Sequence, residues 1–248
     1  MGKLEVYFWL RLCRHALFAI NTAMPNRLVQ SRSPVTLLGA GQVSAATVRD
    51  ALRIAPYLVA ADGGANMANA AGFLPDTVIG DLDSIDPEVL SLIPEQNLWK
   101  IDEQDTTDFE KCLGRIDAPF ILGLGFFGAR MDHALAVLSA LTRFCEKRCL
   151  IVGEADVVFH APAGRRLSLA LAAGARVSLF PMAPVAGRST GLVWPIEGLA
   201  FAPAGRIGTS NAATGPVSLT FDGAGMLVML GRADLGAAIA ALAPEDRG

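Results

Sequence analysis

The sequence predicts an α/β fold, with a Rossmann-like, mostly parallel sheet domain over residues 34–152 followed by an all-β sandwich domain over residues 153–248. Three observations carry that reading. Short apolar runs alternate with helical patterns from Pro34 to Val152. Those runs are continuous rather than alternating, as in strands covered on both faces. Beyond Val152 helices almost vanish, and glycine and proline punctuate a series of short strands. The composition fits: of 248 residues, 52% are hydrophobic and 18% charged, which excludes a disordered, collagen-like or coiled-coil chain.

Residues 1–33 are set apart as an extension, loosely ordered or an over-long start. Val6 to Ile20 is apolar, but Arg11, Arg14 and His15 interrupt it where a secretory core is uncharged. Met24 stands just ahead of the first convincing strand, Val35–Leu38, which leads through Gly39-Ala40-Gly41 into a helix over Ala45–Ile54. The unit recurs. Tyr57–Ala61 precedes a short helix opened by Asp62-Gly63-Gly64-Ala65-Asn66, and Thr77–Ile79 runs into Gly80-Asp81-Leu82-Asp83-Ser84. Strands follow over Leu98–Ile101, Phe120–Leu122 and Cys149–Val152, with helices over Thr107–Ile116 and Met131–Lys147. The second half reads as strands Val157–His160, Arg166–Leu171, Ala175–Phe180, Gly191–Trp194, Pro216–Phe221 and Met226–Leu230, then a short apolar helix over Leu235–Leu242.

Charge narrows the partners. The net charge is −3, yet residues 1–33 carry +4, which leaves −7 on the remainder. No broad basic surface is available for a phosphate backbone, so no nucleic-acid partner is expected, and an anionic small substrate needs a bridging cation. No run of about 18 uncharged apolar residues exists, so no membrane span is expected. Cys13, Cys112, Cys145 and Cys149 have neither the spacing nor the histidine neighbours of a zinc site or a disulfide framework. They read as ordinary thiols of a reducing cytoplasm.

Open parallel sheets bind ligands at the carboxyl ends of their strands, where the polar clusters of this chain lie. Between Asp76 and Glu110 there are eleven acids against Lys100 alone. Crowded carboxylates call for a cation. Glu88, Glu95 and Glu103 read as solvated charge, whereas Asp81 and Asp83 emerge from an apolar strand and offer hard oxygens to one side, as Mg²⁺ requires. In Asp102-Glu103-Gln104-Asp105-Thr106-Thr107-Asp108, Thr106 or Asp105 suits an N-cap and Asp108 the positive end of the helix dipole. The run Gly123-Leu124-Gly125-Phe126-Phe127-Gly128-Ala129-Arg130-Met131-Asp132-His133 puts glycines and a forked donor at a helix start, a combination suited to phosphate. His133 alone fits a capping or packing role equally well.

Taken in order, Asp62-Gly63-Gly64-Ala65-Asn66, Gly80-Asp81-Leu82-Asp83-Ser84, Gln104-Asp105-x-Thr107-Asp108-Phe109, Gly128-x-Arg130-x-Asp132-His133, Thr190-Gly191-Leu192-Val193-Trp194 and Thr209-Ser210-Asn211 resemble the thiamine pyrophosphokinase family over roughly Val35 to Gly231. The resemblance implies Mg²⁺-dependent transfer of a pyrophosphoryl group from ATP to thiamine, giving thiamine diphosphate and AMP in a homodimer with active sites between subunits. It also implies roles. Asp81, Asp83 and Asp108 hold Mg²⁺ as the catalytic group; Asp62, Gly63, Gln104, Asp105, Thr107, Gly128, Arg130, Asp132 and His133 bind ATP; Trp194, Ser210 and Asn211 bind thiamine. An indole face suits a flat, partly cationic ring, although Trp194 also fits a sandwich core and Ser210 a turn. Two departures stand out: Ala129 replaces the usual second glycine of Gly-Gly-Arg, and the amino-terminal extension has no family counterpart.

Rival readings are narrower. Val78-Ile79-Gly80-Asp81-Leu82-Asp83 is similar to the strand-end Asp-x-Asp of haloacid-dehalogenase-like phosphatases, whose first Asp is a nucleophile, but it sits on the third strand, without the later lysine and acidic motifs. Gly39-Ala40-Gly41 suggests a dinucleotide module, but Ser44 stands at the fingerprint's third glycine. A pyrophosphokinase acting on another heterocyclic alcohol, such as a hydroxymethyl pterin, is the nearest alternative.

Overall fold

The computed structural model describes residues 28–128 and 130–243. The expectations for Val6–Ile20, Cys13, Met24 and Ala129 therefore lie outside the described residues. The strands, in chain order, are β1 (Val29–Gln30), β2 (Val35–Leu38), β3 (Tyr57–Ala61), β4 (Thr77–Gly80), β5 (Leu98–Lys100), β6 (Ile116–Asp117), β7 (Ile121–Leu124), β8 (Cys149–Val152), β9 (Asp156–His160), β10 (Leu167–Leu169), β11 (Arg176–Pro181), β12 (Val185–Leu192), β13 (Ala200–Phe201), β14 (Gly208–Phe221) and β15 (Met226–Gly231). The helices are α1 (Ala45–Ile54), α2 (Gly64–Ala70), α3 (Pro87–Leu92), α4 (Asp108–Arg115), α5 (Met131–Arg143) and α6 (Leu235–Leu242).

Strands β8, β7, β2, β3, β4 and β5 lie side by side in that order, all parallel. Successive strand residues point to opposite faces, and here both faces are dry. Leu37, Val59 and Ile79 pack under α4 and α5, against Phe109, Leu113, Val137 and Leu141. Leu38, Leu58 and Leu122 pack under α1 and α2, against Val48, Ala51 and Ala68. Local chemistry starts the helices: Ser44 Oγ accepts from Thr47 N at 3.1 Å to cap α1, and Thr107 and Glu110 form a reciprocal capping box on α4.

The remaining strands pair mainly antiparallel. β8 turns into β9, which pairs with β15, then β11 and β14. The fourteen residues of β14 run past β11 and on to β10 and β12. The expected boundary at residue 153 thus falls in the turn between two hydrogen-bonded strands of one large mixed sheet. One core runs from Leu38 and Leu122 through Leu150 and Phe159 to Leu179, Phe221 and Leu242.

Several expectations need correction. Within the span expected as a loose extension, Val29 is buried and β1 pairs in parallel with β6. The strand expected at Gly191–Trp194 is β12, which ends at Leu192; Val193 N still donates to Ala212 O of β14, and Trp194 lies past the end of the strand. Helix α5 stops at Arg143 rather than Lys147, since the chain turns there, Lys147 N reaching Phe144 O, to enter β8. β7 extends through Gly123 and Leu124, which pair with Ile151 and Val152 and move the glycine turn to Gly125–Gly128. Helix α3 and the β1–β6 pair were not expected. Asp86 followed by Pro87 at the first helical turn is the start signal for α3.

Candidate active site

The chain order reverses at β2, whose neighbours are β3 on one side and β7 on the other. Such a switch point opens a crevice at the strands' carboxyl ends. Its floor is glycine: Gly41 N donates to Gly125 O at 2.9 Å, and a Cβ on Gly125 (φ +72°) would meet Gly39 O at 2.8 Å. Gly128 follows at the exposed rim, beside Gly41 Cα.

The acidic residues gather one and two strands away. Asp62 ends β3, 3% exposed, with a left-handed φ of +44°. Its backbone N–H donates to Ile79 O of β4, and the adjacent Gly80 lets the two strands close, because a Cβ there would lie 2.7 Å from Asp62 Cβ. Leu82, also left-handed (φ +66°), stands between Asp81 and Asp83. One oxygen each from Asp62, Asp81 and Asp83 lies within 4.8 Å of the others. Asp62 Oδ1 is buried without a hydrogen-bond partner, and a desolvated anionic oxygen of that kind is costly unless a cation meets it. Asn66 braces the loop from α2: its Nδ2 donates to Ser84 O at 3.0 Å and its Oδ1 accepts from Asp86 N at 3.0 Å. Gly63 is buried against Ser84.

Asp108, expected beside Asp81 and Asp83, is not among those three grouped oxygens, whereas Asp62 is. Asp108, at the first turn of α4, accepts instead from the buried Lys111 at 3.0 Å, and Lys111 Nζ is also 3.7 Å from Asp81 Oδ2. Burial raises the Asp108 pKa against the pull of Lys111, with the charges of Asp62 and Asp81 adding to the rise. For Asp81, partial burial pushes upward, but the Gln104 amide and the Lys111 charge prevail and the pKa is lowered. Gln104 Nε2 donates to Asp81 Oδ2 at 3.2 Å.

Glu103 is not simply solvated charge. Its carboxylate accepts from Asp105 N, Thr106 N and the Thr106 hydroxyl, folding the loop that presents Gln104. Asp105 is exposed. Thr107, expected at ATP, is the N-cap of α4 and bonds Glu110. The buried Glu110 also pairs with Arg143 of α5, linking the two helices behind the site. At the start of α5, Arg130 is 68% exposed and forked onto Asp132, at 2.6 and 3.2 Å. His133 is exposed beside them.

A second cluster lies on the far part of the sheet. Trp194 is 60% exposed, which excludes the core-aromatic reading. Its backbone is held from both sides by the buried Asn211, whose Oδ1 accepts from Trp194 N at 3.1 Å and whose Nδ2 donates to Trp194 O at 2.7 Å. Ser189 and Glu197 close the same loop, with Ser189 N donating to Glu197 Oε1 at 2.7 Å and Ile196 N to Ser189 Oγ at 3.1 Å. Ser210 is exposed and left-handed (φ +62°), its N–H donating to Ser178 Oγ. Asn211, in β14, is separated from Asp62 by seven strand-to-strand steps, about 34 Å along the sheet at about 4.8 Å each.

Lys111, Asn66, Ser189 and Glu197 were given no role from the sequence, and Glu103 was read only as solvated charge. Asn66 alone had a signal, its place in the Asp-Gly-Gly-Ala-Asn run. Cys112, Cys145 and Cys149 are free thiols. Among the described residues no helix is long and apolar enough to cross a membrane.

Comparison with known proteins follows the same line. Residues 48–152 match the family described as thiamin pyrophosphokinase, catalytic domain. Thiamine pyrophosphokinase 1 of Oryza sativa subsp. japonica is 32% identical over 156 residues, covering 56% of this chain and 59% of that protein. Thiamine pyrophosphokinase 1 of Arabidopsis thaliana is 28% identical over 183 residues, covering 61% and 68%. The chain thus spans less than two thirds of the rice relative's length. Among solved structures, the thiamin pyrophosphokinase of Candida albicans superposes with a TM-score of 0.67 at 17% identity over 84% of this chain and 96% of that one. That of Geobacillus thermodenitrificans gives 0.66 at 22% identity over 86% and 98%. All three comparisons agree with the family that the ordered motifs resemble.

Proposed function

We propose that this chain, a thiamine pyrophosphokinase by its motifs, its matched region and its fold, transfers the pyrophosphoryl group of ATP to the hydroxyethyl oxygen of thiamine, giving thiamine diphosphate and AMP. The observation that carries the reading is Asp62, a buried carboxylate with one unpartnered oxygen, grouped with Asp81 and Asp83 at the ends of adjacent parallel strands. Three hard oxygen donors in a half-open group fit Mg²⁺, which takes few carboxylates and completes its shell with water and phosphate. Bound there, the ion supplies charge neutralisation on the phosphates being transferred.

The chain's own residues do the positioning. Backbone at Gly39–Gly41 and Gly125–Gly128 admits phosphate closely at the switch point. Arg130 exchanges its exposed Asp132 partner for a phosphate oxygen at little cost, since exposed pairs contribute little. Gln104 and the capped start of α4 hold Asp81 and Asp108 in place, while Asp105, Asp132 and His133 line the nucleotide side. Trp194 offers an open ring face to the thiamine heterocycles, Ser210 stands beside it, and Asn211 fixes the loop that carries it. Residues 34–152 thus form the nucleotide and metal part, and residues 153–248 the thiamine and dimerisation part. The span of about 34 Å along the sheet between Asn211 and Asp62 supports a homodimer in which thiamine held by one copy meets the carboxylates of the other. The buried free thiols Cys112 and Cys149 suit a cytoplasmic location.

The test is product analysis on purified protein with ATP and Mg²⁺, with and without thiamine. Thiamine-dependent AMP with equimolar thiamine diphosphate is the expected result. AMP formed only with another heterocyclic alcohol moves the substrate, and inorganic phosphate without any acceptor refutes pyrophosphoryl transfer.

A further inference from the structure

Three non-glycine residues among those described hold a left-handed φ: Asp62 and Leu82 in the acidic loops, and Ser210 (+62°) in β14. Ser210 lies at a break in the ladder. Asn211 stands opposite Val177 and Gly208 opposite Leu179, so Ser178 of β11 faces both Thr209 and Ser210. That is a β-bulge with one extra residue, and where a bulge holds a left-handed residue, glycine is its ordinary occupant. A serine kept there gives up backbone ease for a hydroxyl. Ser210 is exposed, and it is followed directly by Asn211, which clamps the Trp194 backbone from both sides.

The facing strand supplies what the bulge takes away. An extra residue falls out of step with the carbonyls of its neighbour, and a backbone N–H left without an acceptor inside a sheet is costly. Ser210 N–H donates to Ser178 Oγ at 3.1 Å, so a side-chain oxygen stands in for the ladder. Ser178 is 5% exposed, with Val177 and Leu179 fully buried on either side of it and Met229 of β15 opposite. A hydroxyl buried in such company is unfavourable unless it is bonded, and the bond it makes goes to the one residue of β14 whose backbone is left-handed without being glycine. We propose that Ser178 is a positioning residue for thiamine: its buried hydroxyl pins the backbone of Ser210 in the left-handed turn of the bulge and so fixes where the Ser210 hydroxyl is presented to the substrate. This inference rests on the reading that Ser210 binds thiamine.

The experiment is a kinetic cycle on the full chain, with thiamine and ATP varied in turn and thermal melting alongside, for Ser178→Ala, Ser210→Gly and the double variant. Glycine keeps the left-handed backbone and deletes the hydroxyl. Expected are a thiamine KM raised about fivefold in Ser178→Ala, the scale of one lost hydrogen bond, and at least as much in Ser210→Gly, with no further rise in the double variant and the ATP KM unchanged throughout. A purely structural serine would lower the melting temperature of Ser178→Ala while leaving both KM values unchanged, raising both alike, or adding its full effect to that of Ser210→Gly, and each of these overturns the proposal. Should Ser178→Ala not fold, Ser178→Cys takes its place, since sulfur is a weak acceptor of similar shape, and the same split between the two KM values is required of it. A thiamine KM raised by Ser210→Gly but not by Ser178→Ala overturns the role of Ser178 alone. A thiamine KM that Ser210→Gly leaves unchanged, or no thiamine-dependent AMP from the unaltered chain, refutes the underlying reading and the proposal with it.

Discussion

Asp62→Asn separates a carboxylate kept for a cation from one kept for the fold. The carboxylate is buried, one of its oxygens lacks a partner, and oxygens of Asp81 and Asp83 lie within 4.8 Å. Two unit charges at that distance repel by about 3.5 kcal/mol at an effective dielectric constant of about 20 and by about 0.9 kcal/mol in water. Asp83 is exposed and Asp62 is not, so removing the Asp62 charge relieves about 1–3 kcal/mol in the absence of metal. Asparagine also tolerates a left-handed φ at least as well as aspartate, so the backbone at +44° opposes nothing. For a chain of this size the melting temperature in EDTA is expected to rise by about 2–4 °C for each kcal/mol. The increase that Mg²⁺ gives the unaltered protein should disappear in the variant, together with turnover. Differential scanning calorimetry in EDTA and in Mg²⁺ reads both effects. A lower melting temperature in EDTA, or a retained Mg²⁺ shift, would refute the argument that Asp62 is held at an electrostatic cost for a cation.

Three further outcomes follow from other parts of the molecule. Asn211→Ala removes both hydrogen bonds on the Trp194 backbone, at about 1 kcal/mol each, and should raise the KM for thiamine about tenfold with the KM for ATP unchanged; steady-state kinetics with each substrate varied in turn checks it. Gly80→Ala puts a Cβ 2.7 Å from Asp62 Cβ, so it should destabilise the fold by about 1–3 kcal/mol and weaken Mn²⁺ binding by displacing Asp62, as denaturant melts and calorimetric titration would show. Burial holds the His160 pKa down to about 4 from an ordinary 6.5, and Gly225 N–H donates to its Nε2, so a proton on that nitrogen would oppose donor to donor. Protons therefore favour the unfolded chain between those two values: stability present above about pH 6.5 declines by about 3 kcal/mol toward pH 4, and urea melts of His160→Gln should show a flatter profile over that window.

Much of the parallel half was legible because its signals are local. Continuous apolar runs such as Val35–Leu38 and Cys149–Val152 bury on both faces, whereas the cap of α4 is Thr107 rather than the Thr106 or Asp105 expected. What escaped depends on which elements become neighbours. Asp62 joins Asp81 and Asp83 because β3 pairs with β4 in a register that sets Ala61 against Ile79, and sequence spacing carries no trace of that. The motif that places Asp108 with Asp81 and Asp83 gives no sign of Lys111, which meets it from three residues on along α4. Lysine is so often a surface residue that a buried one cannot be picked out by type. Glu103 looks like any loop carboxylate until the turn it ties is seen. In the second half Trp194 lies past the end of a strand rather than within it, because the ladder of β12 with β14 shifts register between Thr190 and Leu192. Such an irregularity has no periodic signature.

The antiparallel pairing of β8 with β9 joins the two halves by backbone hydrogen bonds and a shared core, not by a tether. No hinge is available at Gly153, and cutting the chain there would bare the inner edges of β8 and β9 to water and to one another's copies. The halves should therefore melt as one calorimetric unit, and a ligand that grips the carboxylate end should protect amide protons of β11 and β15 from exchange as effectively as those of β3 and β4. Selection on the remote strands then acts on whatever the carboxylate end holds as well, since whatever loosens one margin of the sheet is felt at the other.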